Sequence, residues 1–149
     1  MALLTTLQRQ PGVTDQDLNP AATAIPATAT TTNGASADLG TAYSSGLNPR
    51  LYKIFLRLVI DAQTTTTLPD AQTIIVDLAD SADDSSFSVI HDNWITVTGA
   101  GGVGALQAAD QIPVPSTARR YIRIQVTTNG SGTGRDSLNA TLSLRFATE

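Results

Sequence analysis

The sequence predicts an all-β fold: a two-sheet β-sandwich, jelly-roll-like, with an extended N-terminal arm. Three observations carry this expectation. The 149-residue chain holds one lysine, Lys53, and one glutamate, Glu149, whereas helices normally cover their solvent side with these residues. Threonine, serine, alanine and glycine replace them, and threonine is a strand former. After residue 35, apolar and polar residues alternate in segments separated by turn-forming residues.

Residues 11–34 read PGVTDQDLNPAATAIPATATTTNG. Pro11, Pro20 and Pro26 bar helix interiors and central strands, and large apolar groups are scarce. An arm is expected here, extended or disordered when alone, spanning at most about 80 Å. Leu3, Leu4 and Leu7 make an apolar handle near its tip. With Arg9 they are expected to contact a neighbouring subunit. The predicted division is 1–34 arm and 35–149 β-sandwich, so deleting 1–34 is expected to leave the sandwich folded.

The strand candidates follow in order. Ala35 to Gly40 is short. Leu51 to Ile60 is the strongest: Tyr52, Ile54, Leu56, Leu58 and Ile60 share one face. Leu51, Phe55 and Val59 lie on the other with Lys53 and Arg57. A strand apolar on both faces is central or half covered by a partner, which makes Leu51 and Phe55 interface candidates. Thr73 to Ala79 turns Ile74, Val76 and Leu78 inward and Asp77 outward. Ser85 to Ile90 and Trp94 to Thr98 read as two strands flanking a polar turn at His91-Asp92-Asn93. Ala105 to Gln111 allows one or two helical turns before Pro113. Arg120 to Thr128 turns Ile122, Ile124 and Val126 one way and Tyr121, Arg123 and Gln125 the other. Leu138 to Phe146 alternates likewise, with Leu138, Ala140, Leu142, Leu144 and Phe146 inward. Roughly seven or eight strands at this spacing fit a sandwich or jelly roll.

Composition bounds the partners. Hydrophobic residues make up 41% and aromatics 5%, enough for one modest, aliphatic core. The net charge of −4 gives no general attraction to nucleic acid or to an anionic membrane. The sequence has no cysteine, so disulfides and thiolate metal sites are ruled out. Met1-Ala-Leu-Leu-Thr lacks the basic region and apolar run of a signal peptide. The run from Ile54 to Ile60 is too short to cross a bilayer. The product is expected to be made in a cytoplasm and to stay soluble.

No catalytic set or cofactor site emerges. Gly99-Ala100-Gly101-Gly102-Val103-Gly104 satisfies G-x-G-x-x-G, but no βαβ unit surrounds it, so a tight loop is expected. Asp80-Ser81-Ala82-Asp83-Asp84 clusters carboxylates without EF-hand spacing, and is read as a turn bonding its own backbone. His91, the single histidine, adjoins Asp92. Neighbours on a strand point to opposite faces, and there is no Gly-x-Ser-x-Gly elbow. Arg119, Arg120 and Arg123 form a basic cluster around Tyr121, suited to ion pairing within the domain or with a neighbour. Arg119 and Arg123 are therefore interface candidates.

Ser36-Ala37-Asp38-Leu39-Gly40 after an Ala/Thr-rich leader, the strand Tyr52 to Ile60, Ser81-Ala82-Asp83 before Phe87, and Arg120-Tyr121-Ile122-Arg123-Ile124 come in a recognisable order. In this the chain resembles the small tailed-bacteriophage capsid decoration (cement) proteins, over residues 35 to 128. The longer proline-studded leader departs from their pattern. The resemblance implies a sandwich or jelly roll on the outer surface of an icosahedral head. It also implies a homo-oligomer, a trimer, that clamps neighbouring major capsid subunits and has no enzymatic role. The alternative is a carbohydrate- or receptor-binding module of a phage tail or surface protein, which would draw on Trp94. A head-completion or tail-tube component is a third assembly role.

Overall fold

The computed structural model describes residues 19–40 and 53–147. Among them lie nine strands: β1 (Thr23–Ala24), β2 (Thr31–Asn33), β3 (Ala37–Asp38), β4 (Lys53–Ile60), β5 (Thr73–Ser81), β6 (Ser88–Thr98), β7 (Ala108–Pro113), β8 (Tyr121–Thr128) and β9 (Asn139–Ala147). A 3-10 turn, Arg135–Ser137, precedes β9. Every pairing between these strands is antiparallel. The first sheet has the order β1-β9-β4-β7 and the second β2-β8-β5-β6, with β3 also pairing with β8. Most successive strands lie in opposite sheets, so the chain crosses the sandwich repeatedly. This is an all-β, two-sheet sandwich.

Alternation decides which side each strand buries. Ile54, Leu56, Leu58 and Ile60 of β4 and Ala140, Leu142 and Leu144 of β9 face Ile74, Val76 and Leu78 of β5 and Ile122, Ile124 and Val126 of β8. All are closed off from solvent. Full burial of each larger aliphatic side chain contributes about 1.5–3 kcal/mol. Trp94 is the one aromatic member of this core among the described residues.

Three expectations need correction. First, the sandwich begins before residue 35. Thr23 pairs with Ala140, and Thr31, Thr32 and Asn33 pair with Thr127, Val126 and Gln125. Ile25 is fully buried and its N–H donates to Leu138 O at 3.0 Å. Prolines are barred from central strands but tolerated beside an edge, and this leader closes one edge of each sheet. Residues 1–18, with Leu3, Leu4, Leu7 and Arg9, lie outside the described residues, as does Leu51.

Second, His91-Asp92-Asn93 is not a turn between two strands but a bulge within β6. Val76 pairs with Ile95 and Leu78 with His91, so Asp77 opposes extra residues. Asn93 sits at φ 51° and its N–H donates to Asp77 Oδ1 at 2.7 Å. Third, Ala108–Pro113 is a strand. The Ala/Gln/Asp run has some helix propensity, but Ile112 meets Leu56 and the ladder to β4 extends over six residue pairs. Tertiary pairing outweighs a weak local preference.

Among the described residues, β6 and β7 are the long outermost strands, and both are poor templates for another strand. The bulge breaks β6. Strand β7 carries an inward charge at Asp110, opposite Leu58, and ends in Pro113. Such features block edge-to-edge pairing.

Candidate assembly surface

The pieces that carry the resemblance converge at one end of the second sheet. Asp38 of β3 pairs with Tyr121 at the start of β8, and Ser81 at the end of β5 pairs with the same Tyr121. The loop between β7 and β8 delivers Arg119 and Arg120 to this corner. Gly40 follows β3, Lys53 pairs with Ala147, and Asn19 Oδ1 accepts the Leu144 N–H at 2.7 Å.

The three arginines have different surroundings. Arg119 Nε and Nη2 donate to Asp80 Oδ1 at 2.9 and 2.6 Å, and its backbone N–H donates to Asp80 Oδ2 at 2.8 Å. The Asp80 side chain is 3% exposed and that of Arg119 38%. Hydrogen bonding to Asp80 raises the Arg119 pKa. Arg119 thus clamps the β7–β8 loop to the end of β5. Arg120 forks onto Asp38 through Nε and Nη2 at 2.7 and 2.8 Å, and lies 5.0 Å from the Tyr121 ring centre. This guanidinium, helped by the Gly40 N–H, holds the Asp38 carboxyl below the usual carboxylate range. Arg123 stacks 3.8 Å above the Phe87 ring and pairs with no carboxylate among the described residues. Its Nε is buried without an acceptor.

The acidic turn closes on itself. Asp83 Oδ1 accepts from the Ser86 and Ser85 N–H groups at 3.1 and 3.0 Å and from Ser81 Oγ at 2.8 Å. These donors, Ser86 first, hold Asp83 far below the usual carboxylate range. The glycine-rich segment is a pinned loop between β6 and β7. Gly102 N–H reaches both Asp70 carboxylate oxygens, at 2.9 and 3.1 Å. Gly104 has φ 77°, and a methyl group there would collide with the Gln63 and Thr64 backbone. Among the described residues no group of three or more His, Cys, Asp or Glu is placed to hold a metal ion.

Phe55 lies half-buried on the outer face of the first sheet, between Arg145 of β9 and Pro113 of β7. Trp94 is 7% exposed and His91 is tilted against it with ring centres 6.2 Å apart. A ring so enclosed offers no face to a sugar. Asp38 and Asp80 were missed as site residues because their arginine partners are 82 and 39 positions away. The Asp38-Leu39-Gly40 piece of the resemblance and the Asp80-Ser81-Ala82-Asp83-Asp84 carboxylate cluster were the available signals.

No protein-family model matches the chain, and no curated protein matches it. Among solved structures, the chain is similar to the infectious bursal disease virus VP2 subviral particle. Identity is 13% and the TM-score 0.39, over 90% of this chain and 33% of that one. It is also similar to CBM27-1 of Caldicellulosiruptor saccharolyticus in complex with mannohexaose, at 11% identity and TM-score 0.35, over 79% and 66%. A pentameric capsid protein isolated from metagenomic phage sequences is similar at 14% identity and TM-score 0.28, over 78% and 60%. The chain spans about a third of the VP2 chain. These neighbours are viral capsid proteins and a carbohydrate-binding module, and likeness at this level assigns no function.

Proposed function

We propose that this chain is a virion structural protein that decorates an icosahedral phage head from outside and stabilises it by bridging major capsid subunits. It acts as a homo-oligomer, a trimer, and performs no catalysis. It is made in the host cytoplasm and ends on the outer capsid surface. The observation that supports this most is the contact between Asp38 and Arg120. Two stretches of the decoration-protein resemblance, far apart in sequence, adjoin there, next to the turn and Phe87 that supply a third.

The physics of a shell favours such a design. Weak contacts repeated three times give avidity in place of single-site affinity. Arg123, stacked and without a carboxylate among the described residues, suits one such contact. Two-sheet β architectures serve both viral shells and sugar-binding domains, but the enclosed Trp94 gives the sugar-binding alternative no stacking platform. The test uses shells assembled from a candidate major capsid protein, prepared without this chain. Saturable co-sedimentation at hundreds of copies per shell, a raised shell melting temperature and a trimeric mass in light scattering are expected. A monomer with no affinity for those shells would sink the proposal.

A further inference from the structure

We propose that Arg135 holds a buried monovalent anion of chloride size at Nη1, beneath the loop between β8 and β9. The inference is independent of the assembly role above. Two charged residues are buried among the described ones, Asp80 and Arg135. Asp80 has its counterion in Arg119. No salt bridge joins Arg135 to a carboxylate among the described residues. The carboxylates of the loops at this end are committed elsewhere or turned outward. Asp61 Oδ2 accepts the Asn139 N–H at 2.8 Å, both Asp70 oxygens accept the Gly102 N–H, and Asp136 is exposed.

A guanidinium stays charged in a protein and donates through all three nitrogens. Here Nη2 spends its hydrogens on Gln72 Oε1 at 3.1 Å and Gly130 O at 3.0 Å. Nε and Nη1 are buried without an acceptor. The Gly132 backbone covers one side of the fork: a methyl group there would stand 2.5 Å from Nη2 and 2.8 Å from Nε. Nη1 lies farther off, and its hydrogens are the ones open to an acceptor.

Water or a carbonyl would satisfy those hydrogens but leave the charge uncompensated, and an unpaired ion in a low-dielectric interior is costly. An anion answers both needs. The enclosure bounds its size. Gly132 N–H donates to Ala27 O at 2.9 Å and Thr133 N–H to Thr66 O at 3.0 Å, latching this loop to two others. A monatomic anion makes the smallest demand on a loop so held.

The test melts the full-length protein at constant ionic strength while sodium chloride replaces sodium methanesulfonate, and separately locates bromide by anomalous scattering in soaked crystals. Over a roughly hundredfold rise in chloride the melting temperature is expected to climb by about 4 °C or more, because an ion that binds only the folded chain stabilises it by mass action. Arg135→Met is expected to abolish that dependence, and bromide is expected beside Nη1. The crystal arm needs no variant, so it decides even if Arg135→Met fails to fold. Equal melting in the two salts overturns the proposal and leaves Nη1 to water. A chloride dependence that survives in Arg135→Met overturns it too, as does bromide found at surface arginines alone. Bromide at Nη1 without any chloride dependence of melting would be an adventitious ion only, and counts against the proposal equally.

Discussion

Trp94 of β6 donates its indole Nε1–H to Asp110 Oδ2 of β7 at 2.9 Å, joining the free edge of one sheet to the free edge of the other. The bulge at Asn93 makes this contact, because it re-aims the strand so that the indole enters the core. Trp94→Phe keeps the apolar contact and removes the donor, and is expected to cost about 1 kcal/mol. Trp94→Ala empties the site and is expected to cost about 3–5 kcal/mol. Urea denaturation of the two variants checks the ranking, and equal costs would refute it.

Residues 23–33 of the leader belong to the folded body, so their removal has consequences for stability. Ile25→Ala is expected to cost about 3 kcal/mol, the range for a buried aliphatic cut to alanine. Deleting residues 1–34 exposes Ala140, Val126 and the edges of β8 and β9, and cooperative melting should be lost. Calorimetry of both proteins decides. An unchanged transition in the truncated chain would restore the boundary at residue 34.

Acid stability depends on Asp38 and Asp83. Both carboxyls titrate lower in the folded chain than in the unfolded one. Their contribution is therefore complete above the unfolded value near 4 and is lost as pH falls from there through the folded values. The melting temperature should begin to drop below about pH 4.5. Asp38→Asn and Asp83→Asn should melt lower at neutral pH and decline less steeply in acid. Parallel curves for variants and wild type would remove both residues from the account.

Arg119 and Arg123 should separate stability from assembly. Arg119→Ala leaves the Asp80 carboxylate buried without its partner, and the melting temperature should fall. Arg123→Ala removes a guanidinium with no carboxylate partner among the described residues. It should melt close to wild type yet bind decoration-free shells more weakly. The reverse pattern in melting and co-sedimentation would reassign the two.

Arg135 is fully buried, with Nη2 donating to Gln72 Oε1 at 3.1 Å and Gly130 O at 3.0 Å. Burial pushes its pKa down. Arg135→Ala removes the group that ties the β8–β9 loop to Gln72, and should cost about 3 kcal/mol. Hydrogen exchange should quicken at residues 129–138 while the β4–β9 ladder stays protected. Uniform loss of protection would mean the loop has no separate hub.

Much of the fold was legible in the residues themselves. Alternation in Leu51 to Ile60, Thr73 to Ala79, Arg120 to Thr128 and Leu138 to Phe146 announced strands, observed at Lys53–Ile60, Thr73–Ser81, Tyr121–Thr128 and Asn139–Ala147. A period of two needs no knowledge of neighbours. The β6 bulge and the β7 strand were hidden because each depends on its partner: Asp77 holds the Asn93 amide, and β4 draws an Ala/Gln/Asp run into a ladder. The candidate site was half legible. Arg119, Arg120 and Arg123 stood out as a cluster, but their division into a clamp, a surface pair and an unpaired cation did not.

The sequence by itself determined that this protein is built from amphipathic strands around an aliphatic core, since local alternation and composition suffice for that. The tertiary structure alone decided that residues 23–33 of the leader pair with β9 and β8, that Asp38 meets Arg120, and that Arg119 clamps the buried Asp80. The reason is physical. Hydrogen-bond register and ion pairing join residues tens of positions apart, and these contacts depend on how strands are ordered in space rather than on any single segment.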